Sequence, residues 1–227
     1  MCWSEEVSWS TFIIGTLLNI ITSVYSKEPT VIATCFIWQY VLFMQFFDAL
    51  SWRITDNKCS NTTANNNTNA KFVKSGTYLF NMFQPLVVYM CLIIVSPVDI
   101  RKKIYASIIC FCYLNYVLYT CSDSDKLDYE IDKSPDCHIQ YSWWSERHKN
   151  GGIIYLITIV LIILLLARPM TFSSLTVLYV IITLMISMNI YKQQGTIANM
   201  WCWFAAFAPM FTLAFWNVSN MNIKLSK

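Results

Sequence analysis

Seven long apolar segments, separated by charged or Asn-rich stretches, dominate this sequence of 227 residues. Each is about 16–22 residues long, and a helix needs about 20 mostly apolar residues to cross the hydrocarbon core of a bilayer. In lipid the backbone polar groups must be paired within the segment, and the β-branched run 153–163 lacks the alternating polarity of a membrane barrel strand. We therefore predict an all-α polytopic transmembrane helix bundle. Residues 1–227 form one transmembrane domain with spans at 9–25, 31–52, 76–97, 104–120, 152–167, 172–190 and 197–216.

The charge content supports a membrane protein and excludes several other classes. Charged residues make up 13% of the chain, whereas an average soluble protein carries roughly 25%. The net charge is only +3, and the longest basic run is Arg101-Lys102-Lys103, so we expect no nucleic-acid partner. The sequence contains no P-loop and no dinucleotide-binding fingerprint.

The distribution of Lys and Arg predicts the orientation of the bundle. Dense positive charge on short loops marks the cytoplasmic face. The first, third and fifth connections and the C-terminal tail are short and rich in positive charge: Lys27, Arg101, Lys102, Lys103, Arg168, Lys224 and Lys227. The opposite connections are long, and their basic residues are sparse. We expect the N-terminus outside or in the lumen and the C-terminus in the cytoplasm.

The predicted lumenal segments carry candidate modification sites. The Asn-rich stretch 57–69 contains N-glycosylation sequons at Asn61 and Asn66, which a eukaryotic secretory pathway would read. Four of the nine cysteines fall on this side: Cys2, Cys59, Cys121 and Cys137. Four cysteines allow three pairings. We expect Cys121 with Cys137 first, because that bridge closes one loop, and four free thiols are the alternative.

Polar residues inside the spans form the candidate site. Asp48 is an acid in the outer half of the second span, and Gln45 lies one turn before it. Amides fall in neighbouring spans: Asn81, Gln84, Asn115 and Asn199. Polar groups at this depth are costly and tend to mark function. We expect either a pocket open to the lumen, with Asp48 at its base, or a hydrogen-bond network that holds the helices together. Pro85 breaks the third span, and the nearly apolar fifth span is expected to face lipid.

Several activities lack their residues. The last span has no Lys for a retinal Schiff base, and both histidines, His138 and His148, lie in one loop. A catalytic metal needs about three protein ligands and an open position, so we expect no metal and no cofactor. The motifs of heptahelical receptors are absent. A thiol enzyme using Cys2 with His138 remains a third hypothesis, but the sequence favours a protein that is not an enzyme.

Several short motifs resemble a family of small, uncharacterised multi-pass membrane proteins found in bacteria and, we expect, in protists and large DNA viruses. The N-terminal Met1-Cys2-Trp3-Ser4 is similar to that family's Met-Cys-Phe-Ser start. The segments 45–52 (with Asp48 in place of a Glu), 138–141 and 201–206 are also similar, as is Pro85 in the third span. The resemblance implies the fold and candidate residues, but no reaction.

The leading hypothesis is a multi-pass integral membrane protein that binds or passes a small solute through the lumen-facing pocket. Its partners are the lipid bilayer and the solute. The alternative is a structural or assembly protein of a host or virion membrane. The sequence leaves the choice of cellular, host or virion membrane open.

Overall fold

A computed structural model describes residues 4–54, 68–121, 129–132, 138–141, 151–191 and 203–225. In this part of the chain eight helices form a bundle: α1 Glu5–Tyr25, α2 Pro29–Ile54, α3 Thr68–Met82, α4 Gln84–Val95, α5 Ile100–Cys121, α6 Gly151–Leu166, α7 Met170–Tyr191 and α8 Ala208–Leu225. The predicted helical bundle is confirmed. Of these described helices, three are long and apolar enough to cross a membrane: α1, α2 and the Met170–Asn189 part of α7. α3 and α4 together make a fourth such segment, bent by 51°.

The helix ends follow local sequence signals. Ser4 is the N-cap of α1, and its hydroxyl accepts a hydrogen bond from the backbone N–H of Val7 at 3.2 Å. Asp99 is the N-cap of α5, and its carboxylate accepts a hydrogen bond from the backbone N–H of Lys102 at 3.1 Å. Short polar side chains at this position satisfy N–H groups that have no partner inside the helix. Pro29 opens α2, where its missing N–H costs no helical hydrogen bond.

α2 is the central helix and contacts α1, α3, α4 and α8, while α6 packs on α4, α5 and α7. The largest buried cluster lies among α2 to α7 and includes Met82, Tyr113, Ile162 and Phe172. α6 contributes one full face to it: Tyr155, Ile159, Ile162, Ile163 and Leu166. The expectation that this segment faces lipid is therefore wrong for that face. The opposite face, with Ile153 and Ile157, is exposed.

Three segments differ from the predicted boundaries. α8 begins at Ala208, inside the predicted span 197–216, where Pro209 favours a helix start. Before it, Trp203 and Phe204 are helical and residues 205–207 form a turn closed by backbone hydrogen bonds between residues three apart. α3 begins at Thr68, inside the segment expected to be a loop. Tyr129–Asp132 and His138–Tyr141 pair as a short antiparallel hairpin, with Asp132 opposite His138. This hairpin is an addition to the predicted all-helical fold.

Candidate functional site

The candidate site lies where the break between α3 and α4 meets α2. Pro85 is in the first turn of α4 and lacks the N–H that would otherwise bond to the carbonyl of Asn81. The two helices therefore meet at a bend of 51°. The sequence predicted a helix break at Pro85, and the structure has the break there.

Side chains cap the backbone of this break. Three carbonyl groups accept a hydrogen bond there: Leu79 from Tyr40 at 2.9 Å, Phe80 from Gln84 at 2.9 Å and Met82 from Tyr113 at 2.8 Å. Tyr40 belongs to α2 and Tyr113 to α5, so two neighbouring helices hold the bend. Broken helices are tolerated at membrane depth only when neighbours satisfy the freed backbone groups in this way.

Asp48 is fully buried on α2, with 0% of its surface exposed. Gln45, one turn earlier and also buried, donates from Nε2 to Oδ2 of Asp48 at 3.4 Å. Asp48 lies six residues before the end of α2, about 9 Å along the axis. A buried carboxylate is costly unless hydrogen bonds or a partner charge compensate it. This hydrogen bond lies within α2, so it does not itself join two helices.

Gln84 joins the break to α6. Its Oε1 accepts a hydrogen bond from the hydroxyl of Tyr155, while its Nε2 donates to the carbonyl of Phe80. Both ends of the amide are thus used. Asn81, on the preceding turn, is buried with 5% of its surface exposed.

The remaining predicted pocket residues do not join this group. Asn115 is exposed on the outer face of α5, where its Nδ2 donates to the carbonyl of Phe111 in the same helix at 2.8 Å. Asn199 lies outside the described residues. The structure therefore brings Asp48 together with Gln45, and Gln84 with Tyr155, and it places Asn115 elsewhere.

A cavity of about 40 Å³ lies beside this group, between α2, α4, α6, α7 and the turns at 203–207. Gln84 lines it together with mostly apolar side chains, among them Trp38, Val88, Ile159, Phe172 and Tyr179. Asp48, Gln45 and Asn81 are not among the described residues of its wall. In the described part of the structure Asp48 is closed off from solvent and does not line this cavity, and the lumen-facing pocket stays a prediction. The cavity has room for about one or two waters.

Sequence reasoning missed Tyr40, Tyr113 and Tyr155, which supply the hydroxyl donors of the site. The sequence feature that could have identified them is a tyrosine within an apolar span, since a buried Tyr hydroxyl usually has a hydrogen-bond partner. A tyrosine on the surface, such as Tyr105 with 57% of its surface exposed, also lies in an apolar span of the sequence. Only the tertiary packing distinguishes buried tyrosines with a hydrogen-bond partner from exposed ones.

Charged groups at helix ends make two kinds of contact. The Arg53 guanidinium is 2.9 Å from the Glu5 carboxylate, which ties the end of α2 to the start of α1. At the opposite end of the bundle, the backbone N–H of Lys102 lowers the pKa of Asp99 below its ordinary value, and the positive charges of Lys102 and Arg101 act in the same direction. Within the described residues, no group of three metal-binding side chains lies together.

The remaining candidate residues fall largely outside the described parts of the chain. This applies to the sequons at Asn61 and Asn66 and to Cys2, Cys59 and Cys137, while Cys121 is the last residue of α5. The disulfide, glycosylation and thiol-enzyme hypotheses remain predictions. Comparisons with protein families, curated proteins and solved structures find no match to this chain.

Proposed function

We propose that this chain is a multi-pass integral membrane protein. One observation carries the proposal: α1 buries small and polar side chains and exposes large aliphatic ones. α1 buries Ser8, Thr11, Gly15, Asn19 and Thr22, whereas Ile13, Leu17, Ile20, Ile21 and Val24 are about half exposed or more. A soluble protein places these two classes the other way round. Lipid solvates the aliphatic side chains, so small and polar residues are left for the contacts between helices.

The same pattern extends to helices that their hydropathy alone does not identify as spans. α5 buries Ala106, Cys110 and Thr120 and exposes Ile104, Ile108 and Phe111. This supports seven crossings: α1, α2, the broken pair α3–α4, α5, α6, α7 and α8. α6 has 16 residues and is about 24 Å long, which is short for a hydrocarbon core of about 30 Å. A local thinning of the bilayer accommodates that difference.

The orientation follows from the loops, with the N-terminus outside and the C-terminus in the cytoplasm of a cellular, host or virion membrane. The test is cysteine accessibility in intact cells. A cysteine at Glu6, an exposed position before the first crossing, should react with an impermeant maleimide. A cysteine at Lys102 should react only after permeabilisation. The reverse result contradicts the orientation, and labelling of both positions in intact cells contradicts an odd number of crossings between them.

The role of the site is to bind or pass a small cationic solute beside the broken third crossing. Asp48 sets the charge, and the Gln45 amide orients its carboxylate. A carboxylate favours a cation, and Pro85 leaves the Asn81 carbonyl without its helical partner, so that this oxygen is a candidate ligand for a cation. Because Asp48 is shielded from solvent here, a change at the bend must open a path to it.

The experiment uses the full chain in lipid vesicles with imposed gradients of sodium, potassium and protons, each followed by an indicator inside the vesicle. Asp48→Asn keeps the shape of the side chain and removes the charge, so we expect loss of flux with the fold intact. Asp48→Glu should retain flux, since the family that the sequence resembles carries Glu at this place. Glu6→Gln, which removes an exposed carboxylate, is the matched control. Absence of flux for all three cations, or equal flux through Asp48→Asn, overturns the proposal.

A second candidate is a structural or assembly protein of the membrane, for which the polar groups serve only to join helices. Direct side-chain hydrogen bonds between helices favour it. Trp38 of α2 donates to Thr212 of α8 at 3.1 Å, and the Tyr89 hydroxyl of α4 lies 2.7 Å from that of Ser107 in α5. The small volume of the cavity beside Gln84 also favours a structural role. In this case Asp48→Asn changes the free energy of unfolding and no flux exists to be lost.

A further inference from the structure

The outer face of α5 carries a continuous exposed stripe. Ile104, Ile108, Phe111 and Leu118 each expose half or more of their surface, and Asn115 is exposed between the last two. The successive spacings of four and three residues place all five side chains along one line of the helix. This is the spacing of the seam along which two long helices pack.

Asn115 is the anomaly in this stripe, because an amide is poorly solvated by lipid. It lies twelve residues after Lys103, the last of three basic residues in the first turn of α5, and therefore about 18 Å further along the helix axis. The hydrocarbon core is about 30 Å thick, so Asn115 lies near its centre once the basic residues are placed at the headgroups. Polar side chains at this depth normally face other protein groups.

The hydrogen bonds of Asn115 are incomplete within the chain. Its Nδ2 donates one hydrogen bond to the carbonyl of Phe111 at 2.8 Å. A primary amide has two N–H donors and one oxygen acceptor. Within the described part of the structure the side chain makes no second hydrogen bond, which leaves one N–H and the carbonyl oxygen available on the outer surface.

We propose that the outer face of α5 is the contact surface between two copies of this chain; this inference rests on the proposed membrane topology. Every copy enters the bilayer in the same orientation, so a twofold axis along the membrane normal makes the two α5 helices parallel. The Asn115 side chains of the two copies then meet at the same depth in the bilayer. Two amides are self-complementary, since each supplies the donor and the acceptor that the other lacks. A different partner protein would need its own polar group at this depth.

The test measures association of the full chain in lipid vesicles by counting photobleaching steps at a series of protein-to-lipid ratios. We expect dimers that Asn115→Leu weakens by roughly tenfold, in line with hydrogen bonds between helices in model membranes. Asn217→Leu is the matched control, since Asn217 is exposed on α8, away from the stripe. It should leave the dimer unchanged. A lipid-soluble oxidant should link copies through Cys112, which is exposed one turn before Asn115, and Cys112→Ser should remove that link.

The inference is overturned by a chain that is monomeric at every ratio, or by dimers that Asn115→Leu does not weaken. Dimers that form only with a second, co-purifying protein also contradict it. Failure of the membrane topology is recognised separately. If Cys112 of the Asn115→Leu variant reacts with an impermeant maleimide in sealed vesicles, the face is in water and the topology is wrong. If Cys112 stays protected while the chain is monomeric, only the dimer is wrong.

Discussion

The contact between α1 and α2 depends on a glycine, and this gives a sharp test of the packing. A Cβ atom built on Gly15 would lie 2.6 Å from both Cδ1 and Cδ2 of Leu42, and 3.0 Å from the Cα of Ala206. Leu42 is completely buried, so its side chain has little space to move. Ala206 presents backbone, which cannot rotate away. Any larger residue at Gly15 must therefore separate α1 from α2 or shift the turns at 203–207.

The substitution Gly15→Val puts a branched side chain into this contact. Overpacking of this kind costs about 1–3 kcal/mol, and Val improves on Gly as a helix former by only a few tenths of a kcal/mol. We expect a net loss of about 2 kcal/mol in the free energy of unfolding. Leu42→Ala alone should cost about 2–5 kcal/mol, because it leaves a cavity. Together the two changes should cost less than their sum, since Val fills part of the space that Leu42 leaves.

The assay is reversible unfolding in mixed micelles of increasing SDS content, followed by tryptophan fluorescence. Ile14→Val is the control, because Ile14 is the next residue on α1 and faces outward with 47% of its surface exposed; it should change stability by less than 0.5 kcal/mol on the usual scale for surface changes. The reasoning is refuted if Gly15→Val is as stable as the parent chain. It is also refuted if the costs of Gly15→Val and Leu42→Ala simply add.

Two further predictions concern hydrogen bonds at helix ends. Tyr113→Phe removes the donor to the Met82 carbonyl at the α3–α4 break and should cost about 1–3 kcal/mol in the same SDS titration, whereas Tyr105→Phe on the exposed face should cost nothing measurable. The N-cap bond lowers the pKa of Asp99, so this cap stabilises α5 above the ordinary pKa of an aspartate and the contribution is lost as pH falls through the lowered value. An NMR titration of the Asp99 side-chain carbon that gives an ordinary or raised pKa would contradict this cap.

The positions of the apolar segments were predictable from the sequence, and the boundaries of the last one were not. Length and hydropathy identify segments that lipid can solvate, and α1, α2 and α7 match their predicted spans closely. For the last helix, the hydropathy of 197–207 resembles that of 208–216. Pro209 and the turns before it decide where the helix begins, and a window average does not respond to such local geometry.

The candidate site was predictable in part. Asp48 and Gln45 lie three residues apart, so helical geometry alone places them on one face. The contact of Gln84 with Tyr155 joins residues that are far apart in the sequence. It depends on how α4 rotates after the break. The sequence also did not separate Asn115, which is exposed, from Asn81, which is buried, because both are amides in apolar segments.

Hydropathy and local spacing determined which segments of this chain are helical, where the third one breaks and which residues share a helix face. These properties depend on neighbours within a few residues, where the geometry of the helix is known in advance. Only the tertiary structure decided which face of each helix turns inward, that Asp48 is closed off from solvent and that Asn115 remains on the surface. Both faces of these helices are apolar enough for lipid, so hydrophobicity does not select between them. The close fit of small residues such as Gly15, together with hydrogen bonds between distant side chains, makes that selection.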